Sequence, residues 1–537
     1  MTVLLLTTKD KPYYNHGRKI YRRGRTWCIA GCALAACITV LTWFWSWYVP
    51  EMCVVNILQP VRNVSREFLS VALDTGLIQD GRIHYLRCSK LQQIAAVLGP
   101  AYLRVGGTAA DCLLFDTGDE QPKSQNTSIE LLDGGACSYE GLDCKKRPAE
   151  FRMSGQEWME INQFAQNAGL TLIFDLNVLL RDGQRWNTTN AKELLEFSAK
   201  YGFVVVWQLG NEPNSFQHVF QTTVSGYQLG EDFVMLRNLL ESFPQYRSSK
   251  LVGPDVTRPR DLEQGSIAYL RDFLSSIDDQ TLNAITWHQY YLNGRTATVA
   301  DFISPQTLNV LEQQIKAVEE VVADFFPEVP IWLSETSSAY GGGAPDLSDR
   351  FLAGFLWLDK LGVAARLGID VVIRQSLLGG HYALLDDHSF EPRPDWWLSV
   401  LFKAFVGHIV LSVGSQLPHG SVRLYCHCTP SNSLNSNLTS ITIYGLNLRS
   451  KTVRVELPQV PDFRSPSGYK SGYVLTGEYG LTSKSVLLNG KKLMLNPDGS
   501  LPPFVPVHSD MSSPLIFPPY SMGFWVLHNL VVPACLP

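Results

Sequence analysis

The sequence carries little charge of either sign. Aspartate and glutamate number 50 against 45 lysines and arginines in 537 residues, a formal net charge of −5. A surface with that balance does not draw in a polyanion as a whole, so nucleic-acid binding is not expected. Two other devices are missing: no cysteine–histidine set has zinc-site spacing, and no glycine loop has the pattern that cradles phosphates. Cys426-His427-Cys428 is too tight for a metal site and reads as strand. No metal and no cofactor is expected, and no internal repeat stands out. What is abundant is apolar surface. At 45% hydrophobic residues the chain can bury a large core, and its length suits two or more domains, one of them a barrel.

The amino terminus departs from this texture. Lys9, Lys11, Arg18, Lys19, Arg22, Arg23 and Arg25 precede an uncharged run of 24 residues from Thr26 to Val49. As a helix the run would span roughly 36 Å, enough to cross a bilayer. Trp43, Trp45, Trp47 and Tyr48 gather at its far end, as an interfacial aromatic belt does. The basic side should stay cytoplasmic. Residues 1–25 are then a tail and 26–49 a transmembrane signal anchor of a single-pass type II membrane protein. The bulk would be lumenal or extracellular, in a lysosome, at the cell surface or, after cleavage, secreted. A cleaved signal peptide is the competing reading, but its apolar region would be unusually long. Cys28, Cys32 and Cys37 lie in the run, as small helix-face residues by default or else as palmitoylation sites. The other eight cysteines would meet an oxidising lumen, where an even number permits disulfides without fixing their pairing. Sequons at Asn63, Asn126, Asn187 and Asn437 suit glycosylation in that compartment.

Beyond the run, Val54 to Leu73 reads as strand, turn, strand. From about residue 88 to 400 apolar strand-like runs alternate with helical patterns, the rhythm of a βα barrel. Candidate strands are Ala101–Val105, Thr171–Leu176, Val204–Leu209, Lys250–Gly253, Ala284–His288, Ile331–Leu333 and Asp370–Arg374. Candidate helices include Glu193–Lys200, Glu231–Glu241, Pro305–Asp324 and Asp346–Leu367. One polar segment, 116–151, interrupts the rhythm and reads as an insertion over the barrel mouth. After about residue 405, short β-rich runs (Val422–His427, Ser440–Leu446, Thr452–Leu457) between Ser/Asn/Gly/Pro turns read as a small β-sandwich.

Two glutamates stand out. Gly210-Asn211-Glu212-Pro213 follows the apolar run Phe203–Trp207, and Ser334-Glu335-Thr336 follows the stub Val329–Leu333. Each places a carboxyl just past an expected barrel strand, 123 residues apart. In a (β/α)₈ barrel the chemistry sits at the C-terminal strand ends. A retaining glycosidase needs one carboxyl to protonate the leaving oxygen and one to attack the sugar carbon. Asn211 can hydrogen-bond a sugar 2-hydroxyl, and Pro213 stiffens the turn. Asn-Glu-Pro alone is weak, since Glu before Pro is an ordinary loop residue.

Longer motifs raise the specificity. Leu209-Gly-Asn-Glu-Pro-Asn-Ser-Phe216, Gln228-Leu-Gly-Glu-Asp-Phe233, Trp287-His-Gln-Tyr-Tyr-Leu-Asn-Gly-Arg295 and Glu335-Thr-Ser-Ser-Ala-Tyr-Gly-Gly-Gly-Ala-Pro345 occur in order. So do Val372-Ile-Arg-Gln375, Pro394-Asp-Trp-Trp-Leu398 and Ser483-Lys-Ser-Val-Leu-Leu-Asn-Gly490. Together they resemble the heparanase-like endo-β-glucuronidases of glycoside hydrolase family 79, which also includes leech-type hyaluronidase. The likeness runs from about Phe68 to the C-terminus, with its main gap in 116–151. It implies an α/β fold: a (β/α)₈ TIM barrel over 68–400 and a C-terminal β-sandwich over 401–537, joined by a strand from 50–67. It implies Glu212 as acid/base and Glu335 as nucleophile, with sugar contacts from Asp74, Thr108, Asn211, Tyr290, Gly341, Gly342, Gln375 and Tyr382. Arg260 and Arg295 fall where the family places basic groups along the cleft, and Cys428 with Cys535 match its sandwich disulfide. Plain structural alternatives stay open: packing for the two tyrosines, turn geometry for the glycines, a surface ion pair for Arg295, a helix cap or arginine partner for Asp74. Glu212 must hold a proton near working pH, so it should sit in a drier place, beside a negative Glu335 that raises its pKa.

Three departures bear on substrate and processing. Thr257-Arg-Pro-Arg-Asp-Leu-Glu-Gln264 offsets two arginines with two acids, Lys145-Lys146-Arg147 and Arg152 form a thin second cluster, and Gln217-His218 stands where the family has lysine. Weaker positive charge moves unsulfated hyaluronan up beside heparan sulfate. The 116–151 segment is shorter than the family's excised linker, and Asn167 replaces an expected cysteine, leaving Cys137 to Cys144. The anchor is unlike a plain secretory signal. The expected partner is therefore a glycosaminoglycan. A non-catalytic polysaccharide-binding relative and an exo-acting β-glucuronidase are the other readings.

Overall fold

The computed structural model describes residues 51–117, 149–415, 420–430, 438–457 and 468–536. The tail 1–25, the anchor 26–49, most of the 116–151 insertion with Asn126, Cys137 and Cys144, and Asn437 lie outside the described residues. Among the described residues no helix is long and apolar enough to cross a membrane.

Strand β1 (Glu51–Asn63) precedes eight βα pairs. The strands are β2 (Leu69–Asp74), β3 (Ala101–Gly106), β4 (Leu170–Leu176), β5 (Val205–Leu209), β6 (Val252–Val256), β7 (Ala284–Asn293), β8 (Ile331–Tyr340) and β9 (Ile369–Arg374). After them in turn come α1 (Ser89–Ala96), α2 (Gly155–Asn167), α3 (Thr189–Lys200), α4 (Gly226–Ser242), α5 (Ser266–Leu274), α6 (Pro305–Phe325), α7 (Ala353–Arg366) and α8 (Pro394–Phe405). The eight strands pair in parallel in the order β6-β7-β8-β9-β2-β3-β4-β5. A parallel bridge between Trp207 and Leu251 brings β5 back to the start of β6, so the barrel is nearly closed.

Alternation decides what each strand residue does. On the outer face Leu103, Val105, Leu172, Phe174, Trp207 and Leu209 are buried under the helices. On the inner face Ala72, Tyr102, Ile173, Val206, Val252, Ala284, Trp332, Val371 and Ile373 form a separate apolar cluster. It is the barrel floor, and it leaves the upper layers free for polar side chains. Helix starts are encoded locally. Ser154 and Glu157 form a capping box on α2, and Ser304 caps α6 with Pro305 at its first position.

Several expected boundaries shift. The strand expected at Lys250–Gly253 runs over Val252–Val256, through Pro254. Its pairing with β7 jumps from Gly253–Ile285 to Val256–Trp287, so the missing proline N–H falls where the ladder is interrupted. β7 and β8 run on to Asn293 and Tyr340, because the polar residues that seemed to end them point into the barrel. Glu335 therefore lies within β8 rather than past it. The helix expected from Asp346 begins at Ala353.

The C-terminal region is β-rich. It contains β10 (Ile409–Ser415), β11 (Val422–Cys428), β12 (Thr439–Asn447), β13 (Val453–Glu456), β14 (Tyr469–Gly477), β15 (Leu515–Phe517) and β16 (Ser521–Leu530). Their order is β14-β16-β12-β11-β10-β1-β13-β15, so β1 sits inside this sheet, antiparallel to β10. Cys428 and Cys535 are disulfide-bonded across it. The ends of the insertion are held together by a short parallel ladder between Leu113–Asp116 and Phe151–Ser154, with Arg152 on Asp116 at 2.9 Å.

Candidate active site

The floor of the site is a buried cation. Arg104 on β3 is fully buried and spends its donors on five groups. Nε donates to Gln208 (2.8 Å), Nη1 to Glu335 Oε2 (2.9 Å), and Nη2 to Asn211 (2.9 Å), Asp255 (2.7 Å) and Asp175 (3.4 Å). Burial alone would make the guanidinium easier to deprotonate, but Asp255, Glu335 and Asp175 outweigh it and hold the charge. The acids divide the cation unequally. Burial raises both, but Asp255, with Arg104 at 2.7 Å and further hydrogen bonds from Gln208 and Ser334, is held well below the usual carboxylate range. Asp175, with only the longer contact, is left far above it.

A β-bulge aims Glu335 at this cation. Pairing of β7 with β8 passes from Trp287–Leu333 to His288–Glu335, and pairing of β8 with β9 from Leu333–Val372 to Thr336–Arg374. On both sides β8 carries one residue too many. Ser334 and Glu335 consequently both turn inward, Ser334 Oγ to Asp255 at 2.6 Å and Glu335 to Arg104. Tyr290 on β7 donates its hydroxyl to Glu335 Oε1 at 2.7 Å. Burial, and then the negative Glu335, push the Tyr290 phenol well above its ordinary pKa, so it stays a donor.

Glu212 arrives from the turn after β5, in the left-handed region at φ 52° and ψ 51°. Its N–H donates to the Asp255 carbonyl at 3.1 Å. The preceding Asn211 N–H donates to Asp111 Oδ2 at 2.9 Å, and Val178 N–H to Asp111 Oδ1 at 3.2 Å. Burial lifts the Asp111 carboxyl to about 7. His288 Nδ1 stands 3.0 Å from Glu212 Oε1 and 4.0 Å from Glu335 Oε1, with Nε2 3.4 Å from Asp255. Burial lowers the imidazole, but Glu335 and Asp255 raise it to about 10, so it is a cation with Nδ1–H directed at Glu212. Oxygens of Glu212 and Glu335 and a nitrogen of His288 lie within 4.8 Å of one another.

The expected contacts fall into two groups. Asp74, Asn211, Tyr290, Gln375 and Tyr382 surround the carboxyl pair. Gln375 donates to Asp74 at 3.1 Å, and the Tyr290 and Tyr382 rings stack at 6.2 Å. Gly107, at φ 107°, has no Cβ, and one would lie 2.7 Å from Asp74 Oδ2, so glycine makes room for that carboxylate beside half-buried Thr108. Gly341 and Gly342 have φ of 77° and 82° and open space where a Cβ would stand, leaving their backbone approachable. Arg260 and Arg295 are exposed, with Arg260 over the Tyr340 ring at 5.8 Å. Asn63 is exposed, and Asn187 is half-buried with its side chain accepting from Thr189 N–H at 2.9 Å. The expectation for Glu212 needs correcting in one respect. Its side chain is 28% exposed and that of Glu335 10%, so the former is the wetter. It sits on a turn at the rim, while Glu335 hangs from a strand inside the wall.

Arg104, His288, Asp255, Asp175 and Asp111 belong to the site but not to the set expected from the sequence. The signal was available: Arg104 and Asp175 each interrupt an apolar strand, and a charge there must be paired to be buried.

Asp74 gives a pH test. Burial raises its carboxyl to about 6. Between the unfolded value near 4 and about 6, the folded chain binds more protons than the unfolded one, so this group's contribution to stability falls as pH rises through that window. Asp74→Asn should therefore gain stability relative to the parent between pH 4.5 and 7, read by urea denaturation at both. An unchanged difference would contradict the raised pKa.

Residues 85–362 match Glycosyl hydrolase family 79, N-terminal domain. Mouse (Mus musculus) heparanase is 39% identical over 508 residues, covering 89% of this chain and 93% of the relative. The chain belongs to family 79. Also similar, at 33% identity, are hyaluronoglucuronidase of Hirudo nipponia, over 88% of this chain and 97% of its own, and human (Homo sapiens) inactive heparanase-2, over 90% and 89%. This family 79 chain is thus a glycoside hydrolase of the heparanase and hyaluronidase type, acting on O-glycosyl bonds.

Proposed function

We propose that the chain is a retaining endo-β-glucuronidase that cuts internal glucuronosyl bonds of heparan sulfate chains. Glu335 is the nucleophile and Glu212 the acid/base. One observation carries the reading: Glu335 is held by Arg104 and Tyr290, with an oxygen within 4.8 Å of one on Glu212. Retaining pairs stand about 5–5.5 Å apart and inverting pairs about 6.5–9.5 Å. Glu335 attacks the anomeric carbon as the C1–O bond breaks, and Glu212 gives its proton to the departing oxygen. Water then attacks the glycosyl ester, giving its proton to Glu212. Asn211, fixed through its oxygen by Arg104, keeps its amide N–H groups for a sugar hydroxyl.

Hyaluronan is the second reading, and one observation favours it. Among the described residues, the Arg258 head group, beside Arg260, is engaged by the Tyr290 and Tyr291 carbonyls, and Arg152 is paired with Asp116, so these two side chains are less available to meet sulfate. A purely binding role is disfavoured by the intact carboxyl pair. We also keep 26–49 as an anchor with the catalytic part lumenal or extracellular. Cys428–Cys535 supports that side, since such bonds persist in oxidising compartments.

Residues 51–537 are to be incubated with heparan sulfate and hyaluronan, at mildly acidic and neutral pH, and the products sized. Rapid shortening of heparan sulfate is expected. Shortening of hyaluronan alone would replace the substrate. Release of monosaccharide from chain ends without shortening would make the enzyme exo-acting. Cleavage of neither, even after the 116–151 segment is cut, would overturn the reading.

A further inference from the structure

Behind the wall that carries Glu335 sits a lysine that contacts no reacting group. Lys360 on α7 is buried, 1% exposed. Its Nζ donates to the Ser337 carbonyl at 2.9 Å, to Thr336 Oγ1, and more weakly to the Gln289 carbonyl at 3.4 Å. The Thr336 hydroxyl in turn donates to the Gln289 carbonyl, and the Tyr291 ring lies under the amine at 4.5 Å. Three acceptors and one aromatic face account for the whole head group. The acceptors belong to the backbone beside the two residues that matter. Gln289 precedes Tyr290, and Thr336 and Ser337 follow Glu335 directly out of the bulge.

The bulge makes this clamp consequential. An extra residue in a strand leaves part of the ladder unpaired, so the local backbone can relax in more than one way. A one-residue slip would send every following side chain to the other face. Thr336 faces outward only because the bulge holds, and its outward hydroxyl is what Lys360 grips. A buried amine is costly, and burial with Arg374 nearby pushes its pKa well below the ordinary lysine value. An apolar residue would pack between helix and barrel at less cost, so packing alone does not account for a lysine there.

We infer that Lys360 is a positioning residue: through Thr336 it locks the β8 bulge and thereby fixes the aim of Glu335 and its hydrogen bond from Tyr290. This rests on Glu335 being the nucleophile. The test reads aim rather than fold. A 2-deoxy-2-fluoro-β-glucuronosyl fluoride reacts when Glu335 oxygen bonds to C1 and fluoride leaves, and the glycosyl ester is then too slow to hydrolyse. Its rate of attachment to Glu335, followed by mass spectrometry, is to be compared in the parent, Lys360→Met, Thr336→Val and Thr336→Ser. Displacing a reacting group by about 1 Å costs on the order of 10²-fold. Labelling and kcat are therefore expected to fall roughly 10- to 100-fold in Lys360→Met and Thr336→Val, with KM little changed. Thr336→Ser, which keeps the hydroxyl, should recover the rate. Thermal unfolding identifies variants that fail to fold, and the threonine pair carries the test if Lys360→Met is one of them. Equal labelling in folded Thr336→Val and parent would overturn the inference alone. No labelling of Glu335 in the parent would sink the nucleophile assignment and the inference with it.

Discussion

Glu335→Gln is expected to lower turnover by on the order of 10⁴-fold or more while the chain stays folded, as loss of a catalytic nucleophile does elsewhere. Glutamine keeps the shape and one oxygen for Tyr290 to donate to, but it cannot form a glycosyl ester. Arg104 keeps Asp255 at 2.7 Å as its counter-ion, so the layer below should hold. Glu212→Gln should cost on the order of 10²–10⁴-fold. The two differ in how the substrate changes the loss. An aryl glucuronide with an acidic phenol needs little protonation to depart, so Glu212→Gln should recover much of its first step on it and Glu335→Gln none. Steady-state and burst kinetics on such a substrate check both. Near-parental turnover in folded Glu335→Gln would end the assignment.

Arg104→Leu should cost about 3–5 kcal/mol of stability and all measurable turnover. The leucine fills space, but the carboxylates of Asp255 and Glu335 then share a buried layer in which His288 is their nearby cation. Breaking a buried charge cluster by removing one partner costs about 3–5 kcal/mol, because the other charges are left uncompensated. The second change that tests this is Asp255→Asn, which removes the acid that Arg104 holds most firmly as a carboxylate. The double variant should recover part of the loss, and urea denaturation of the four proteins forms the cycle. A loss below about 1 kcal/mol in Arg104→Leu would mean the acids simply protonate, and the account of a cation floor would fail.

These two results address different layers, and the layers were unequally legible. The outer faces of the barrel strands declare themselves as apolar runs: Ala101–Val105 and Thr171–Leu176 lie within a residue of the observed strands. Glu212 is visible because a turn after a strand exposes it in a recognisable context. Glu335 was found for a partly mistaken reason, since the polar residues after Leu333 read as the end of a strand that in fact continues to Tyr340. The inner polar layer was the least legible. Arg104, Asp255 and His288 come from three strands, and no spacing along the chain says that they meet. Lys360 lies in a helix whose residues are almost all buried, where the periodicity that separates faces is absent.

The position of β1 within the C-terminal sheet has a consequence for synthesis. Its partner β10 lies roughly 350 residues further along the chain, with the whole barrel in between. At about 5–20 residues per second, β1 waits roughly 20 to 70 s after it is made before β10 exists to receive it. During that wait, an unpaired strand is exposed to chaperones and to neighbouring nascent chains. The cost is permanent if β1 is omitted: β13 and β15 lose their link to β10, and the sheet falls into two pieces. An expression fragment beginning at the first barrel strand would therefore truncate the far end of the molecule.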